Sequence, residues 1–123
     1  MSGSEPGVSA DLPSTQTAAS PWGDLVAAAA PTGVYLWAPR GSTPARRIRV
    51  SGTPTTVRFS ASGHRIYVGR ADEDLAVIDR YAGERIGDIR IPGSAAGLRV
   101  APYGGWLLAR PAEGDTIWVV DLA

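Results

Sequence analysis

Thr56-Val57-Arg58-Phe59-Ser60-Ala61-Ser62-Gly63-His64-Arg65-Ile66-Tyr67-Val68 lies over Gly97-Leu98-Arg99-Val100-Ala101-Pro102-Tyr103-Gly104-Gly105-Trp106-Leu107-Leu108-Ala109, and Val57 to Leu98 is a step of 41 residues. Moving back by the same step lands on Gln16-Thr17-Ala18-Ala19-Ser20-Pro21-Trp22-Gly23-Asp24-Leu25-Val26-Ala27. The segments downstream repeat as well. Val34-Tyr35-Leu36-Trp37 precedes Leu75-Ala76-Val77-Ile78-Asp79 by 41, which precedes Ile117-Trp118-Val119-Val120-Asp121 by 42. Ile48-Arg49-Val50-Ser51-Gly52 precedes Ile89-Arg90-Ile91-Pro92-Gly93 by 41. Three copies at one period mark a repeat architecture, in which each unit buries its apolar faces on its neighbours.

Each unit reads as short strands. Runs of four to six residues rich in Val, Ile, Leu and Tyr are separated by Gly, Pro, Asp and Ser. The central unit gives strand a near 55–60, a tight turn at Ser62-Gly63 and strand b near 64–69. An acidic loop at 70–74, strand c near 75–79, the Tyr81-Ala82-Gly83 turn and strand d near 85–91 complete it. Leu25 to Ala30 is rich in the best helix former. Gly23 and Pro31 bracket it too closely for a stable helix, and its register makes it strand b. Four antiparallel strands every ~40–45 residues is the arithmetic of a propeller blade. The expected fold is all-β: a partial β-propeller of about ten strands in three blade-like units, 14–54, 55–95 and 96–123, the third lacking its outer strand.

Ile66-Tyr67-Val68-Gly69, Leu75-Ala76-Val77-Ile78-Asp79 and Gly83-Glu84-Arg85-Ile86 resemble the YVTN-type bacterial β-propeller repeats, relatives of WD40 repeats. Ser60-Ala61-Ser62-Gly63-His64 and Ala101-Pro102-Tyr103-Gly104-Gly105 are similar to that group's Ser-Pro-Asp-Gly turn. The likeness covers residues 55–121 well and 14–52 more loosely. It departs from WD40 repeats in having no Gly-His before strand a and no Trp-Asp closing strand c. It speaks for fold and little for function, because propellers host many unrelated activities.

Propellers close with about 4–8 blades. Three units therefore point either to a piece of a larger propeller or to assembly with further copies, two chains giving a six-blade ring. Val8-Ser9-Ala10-Asp11-Leu12 falls at the phase of a missing strand d for the third unit and alternates weakly. Residues 1–13 are thus either a flexible tail or a strand donated across chains. Val, Ile, Leu and Phe make up only twenty-six of 123 residues, so a core this thin gains from a partner.

Composition excludes several chemistries. All twelve basic residues are Arg, so there is no P-loop lysine and no Schiff base. No Cys and one His rule out thiolate nucleophiles, zinc knuckles and two-histidine metal sites within these residues. A formal net charge of zero argues against a nucleic-acid partner held by the overall field. Leu25 to Ala30, the longest apolar run, is far short of a membrane span, and no signal peptide is visible. The expected location is cytoplasmic, unless the chain belongs to a larger exported protein.

No residue set meets the requirements of a catalytic site, so no catalytic, metal or cofactor residue is assigned and a non-catalytic binding module is expected. The rival is a piece of a propeller enzyme or sensor whose catalytic or cofactor residues lie elsewhere. His64 beside Ser60 and Ser62 reads as a turn histidine, and Asp72-Glu73-Asp74 as a solvated loop rather than a cation site. Arg58 and Arg99 are repeat equivalents in the innermost strand, where the resemblance implies side chains near the central channel. They either line an anion-attracting channel or pair with carboxylates between blades. Arg70 and Arg110 match at the start of the b–c loop, on a face where the resemblance implies ligand binding. Arg40, Arg46, Arg47 and Arg49 form a basic group, with Arg47 and Arg49 protecting an outer edge. Trp22, Tyr103 and Trp106 map to a–b turns of the terminal units. They read either as an interface patch or as ordinary packing.

Overall fold

In the computed structural model, residues 16–39 and 45–122 are described. They form three antiparallel meanders. The first sheet runs β1(Gln16–Ala19), β2(Val26–Ala30), β3(Gly33–Trp37), β4(Arg46–Ile48), and the second β5(Pro54–Phe59), β6(Arg65–Arg70), β7(Glu73–Asp79), β8(Glu84–Ile89). The third is β9(Gly97–Val100), β10(Trp106–Arg110), β11(Trp118–Asp121). The chain is all-β, with sheets of four, four and three strands arranged as successive blades of a partial β-propeller. There are eleven strands where about ten were expected, and among the described residues the third sheet has no outer strand. The Val8–Leu12 segment, Arg40 and the boundary at 13/14 lie outside the described residues.

The strands first in each unit, β1, β5 and β9, lie side by side, so strand a is innermost. One apolar core fills the space between sheets one and two: Ala27, Ala29, Val34, Leu36 and Ile48 against Val57, Phe59, Ile66, Val68, Ala76 and Ile78. A second lies between sheets two and three, where Tyr67, Leu75 and Val77 meet Leu98, Leu107 and Ala109. The middle sheet is covered on both faces, so β6 and β7 are buried almost without a break. β11, in the last sheet, alternates between half-buried and exposed. Val26–Ala30 is a strand despite its alanines, four of which are buried, because tertiary packing overrides a weak helical propensity.

The a–b turns explain the recurring glycines. The amides of Ser20, Ser60 and Ala101 close them onto the carbonyls of Leu25, Arg65 and Trp106. Gly23, Gly63 and Gly104 sit in each at φ of 73, 80 and 81°, where a side chain is strained. These turns correct the alignment of unit one. Gln16↔Ala29 corresponds to Thr56↔Gly69, a step of 40 rather than 41. The missing residue reappears on β7, where the pairing with β6 shifts by one after Val68. Strand c also begins earlier than expected, at Glu73, leaving a tight Ala71-Asp72 connection in place of an acidic loop at 70–74. Asp72 takes φ 57° there, and strand d closes at Ile89 rather than near 91.

Candidate functional site

The inner ends of the three sheets meet at Arg58. Its Nε donates to the carbonyl of Leu98 at 3.0 Å, and its Nη1 to those of Thr17 at 3.2 Å and Val57 at 3.3 Å. In the corrected register Thr17, Val57 and Leu98 are one repeat position, so a single guanidinium joins the same carbonyl of three successive units. Among the described residues its partners are backbone carbonyls, of its own and the neighbouring blades, rather than carboxylates. Gln16 adds a second tie, donating to Ala96 O at 2.7 Å and accepting from the Thr56 hydroxyl. Thr55 Oγ1 donates to Ala95 O at 2.7 Å. Arg58→Met is expected to lower stability by about 2 kcal/mol, discounting charged hydrogen bonds for partial exposure. Urea unfolding measures it.

A cleft of ≈ 280 Å³ opens beside this junction, lined by Gln16, Arg58, Leu98, Arg99, Leu108, Arg110 and Ile117 among others. Among the described residues no carboxylate lines it. Three of the four expected ligand arginines thus come together, and Arg70 does not join them. Arg70 and Arg110 are 40 residues apart, whereas the strand b step between units two and three is 41: Arg110 pairs with Gly97 as Gly69 pairs with Thr56. One residue of slip reverses the face, because side chains alternate. Arg70 is therefore buried on the other side of β6, with all its directions taken. It donates to Asp74 O, Ser51 O and Ser51 Oγ and pairs with Glu73 at 3.4 Å and Asp88 at 3.2 Å. The wide cleft above it carries charges already paired within the fold. There Asp72 Oδ1 and Asp74 Oδ1 accept from Ser94 Oγ and the Ile91 amide. Among the described residues no three such groups are placed to hold a metal ion.

The third sheet has one face against the second and one open. Arg99, Trp106, Leu108, Arg110, Ile117 and Val119 lie on the open side. Their counterparts in the second sheet are covered: Leu75 is 0% exposed and Val77 8%, but Ile117 is 55% and Val119 71%. Trp106 is part of this surface, and Tyr103 at the adjacent turn is 99% exposed. Trp22 differs. It shares a turn position with Ser62 and Tyr103, yet its ring stacks under the buried Arg80 guanidinium at 4.6 Å and meets His64 edge-on at 5.1 Å. His64 Nδ1 bonds to Tyr81 OH at 2.7 Å, and neither Ser60 nor Ser62 reaches the ring. Arg46 crosses to the next unit's turn, donating to Tyr81 O and Ala82 O. Arg80 was not singled out in the sequence. It pairs with Asp24 and donates to Gly63 O and Ser20 Oγ, a role that only the meeting of two units' turns reveals.

No protein-family model matches the chain, and no curated protein matches its sequence. Solved structures do. The chain is similar to hydrazine synthase of Kuenenia stuttgartiensis, with TM-score 0.74 and 22% identity over 97% of this chain and 36% of that one. It is equally similar to the β-propeller domain of Cps50 (Swd1) of Myceliophteria thermophila, with TM-score 0.74 and 22% identity over 92% of this chain and 36% of that one. The chain spans little more than a third of either, and at that identity the likeness is one of fold.

Proposed function

We propose that this chain is a non-catalytic, YVTN-type propeller module that acts by binding and completes its ring through the open face of the third sheet, with a second copy of itself as the occupant. The observation that carries this is the exposure of Ile117 and Val119 where the same repeat positions, Leu75 and Val77, are covered. A blade presents two faces, and each unit here is written to bury both. Stable interfaces cover about 1,200–2,000 Å² in total. A two-fold pair would set the open face of each third sheet against the first sheet of the partner. It would bring Tyr103 and Trp106 of one protomer toward the first sheet of the other, where Trp22 stands. Light scattering is the test. The parent chain is expected at twice the chain mass, and Val119→Arg at the chain mass with unchanged circular dichroism. A clean, folded monomer of the parent at micromolar concentration overturns the pairing.

The rival reading, a piece of a larger propeller enzyme or sensor, has one observation in its favour: the matched structures are nearly three times as long. Further blades encoded in frame beside this segment would supply the same covering face. In that case the isolated chain stays monomeric and the extended chain buries Ile117 and Val119.

A further inference from the structure

We infer that Arg99 and Arg110, with Arg58 behind them, form a binding site for a small polyvalent oxyanion, a compound bearing phosphate or clustered carboxylate groups, at the inner end of the third sheet. The site lies within one chain, at the inner end of the face that ring closure would cover, and the inference does not rest on that closure. Its first support is the register. Arg99 pairs with Leu108 and Arg110 with Gly97, so the two arginines are diagonal neighbours on one face. Like charges so placed on adjacent strands repel. Elsewhere in the fold Arg46, Arg58, Arg70 and Arg80 each bond to carbonyls or carboxylates, whereas Arg47, Arg49, Arg65 and Arg90 are exposed and line no shared cleft. Among the described residues the side chains of Arg99 and Arg110 make no hydrogen bond or ion pair, and no acid lines their cleft.

The second support comes from the repeat. Ala29, Gly69 and Arg110 occupy one position in successive sheets. At Gly69 an added Cβ would lie 2.5 Å from Thr56 Cγ2 on the paired strand and 3.3 Å from Ala95 Cβ, where the chain entering the next unit comes close. A long side chain in that slot prevents the same approach to the third sheet. The outer half of the open face, with Trp106, Leu108 and Val119, is suited to cover, while the inner end keeps a gap.

The third support is preorganisation. Arg58 is held by three carbonyls, so its charge is fixed at the rear of the cleft at no further entropic cost on binding. Leu98, Leu108 and Ile117 supply apolar walls between the arginines. Planar guanidinium forks suit phosphate and carboxylate oxygens alike. At ≈ 280 Å³ the space suits a small molecule.

Titration calorimetry of the full chain with inorganic pyrophosphate, and separately with citrate, tests the site, with light scattering in the same buffer reading ring closure on its own. One saturable site per chain is expected for at least one probe. Arg99→Gln and Arg110→Gln should each weaken it about tenfold, the scale of one lost charged hydrogen bond. Arg47→Gln, on the exposed outer strand, should leave it unchanged. Preference for pyrophosphate assigns a phosphate compound, and preference for citrate a carboxylate. Absence of saturation at millimolar probe, or equal binding by the parent and both glutamine variants, overturns the proposal whatever the oligomeric state.

Discussion

Truncation of Leu75 to alanine is expected to destabilise the fold by about 3 kcal/mol, and truncation of Ile117, its repeat equivalent, to change an isolated chain by less than about 0.5 kcal/mol. The two positions share one place in the repeat and differ only in what covers them. Leu75 is fully enclosed among Tyr67, Val77, Leu98 and Leu107, so its loss leaves a cavity that close-packed neighbours cannot fill. Ile117 faces outward, so alanine there removes little that folding had buried. The contrast reads ring closure directly. If a second copy covers the third sheet, Ile117→Ala costs more as protein concentration rises, because association stabilises the folded state by mass action. Urea unfolding of both variants at two concentrations measures this. Equal costs at low concentration would contradict the open face itself.

Much of this architecture was legible because a buried repeat constrains side-chain type at fixed spacing. Val57 and Leu98 stand at equivalent places in two sheets, and Gly63 and Gly104 share a turn that needs left-handed backbone. The register of unit one was not legible from its strands. Thr17, Ala18 and Ala19 are small, so sliding them by one residue changes little in the pattern. The mark that fixes the slip is Gly23, which shares the left-handed turn of Gly63 at a step of 40. A separate slip of one residue, between units two and three, had paired Arg70 with Arg110. One is a buried clamp on Ser51 and Asp88, and the other a free charge on an open face. The partners of Arg58 left no trace in the sequence for a different reason. They are main-chain carbonyls, which every residue possesses.

Arg80→Met should be among the most damaging single changes outside the apolar core, at about 2–3 kcal/mol, although it keeps most of the buried volume. The guanidinium lies 4.6 Å from the Trp22 ring and 5.6 Å from that of Tyr81, and it donates to Ser20, Gly63 and Asp24. It thereby joins the a–b turns of units one and two to the end of strand c. Methionine fills the slot but leaves the Gly63 carbonyl without its donor and ends both ring contacts. Arg80→Lys should recover less than half of the loss, because a compact ammonium does not stack or reach several acceptors together. The pairing also gives the fold an acid limb. The Arg80 hydrogen bond, foremost among the causes, holds the Asp24 carboxyl below its ordinary range. Its contribution is complete above the unfolded value near pH 4 and is lost as pH falls through the lower folded value. Asp24→Asn should therefore flatten the fall in thermal midpoint between about pH 5 and about pH 2. In Arg80→Met the same substitution should have no further effect on that slope. If Asp24→Asn steepened the slope, or acted equally in both backgrounds, the link between the two turns would not run through this pair.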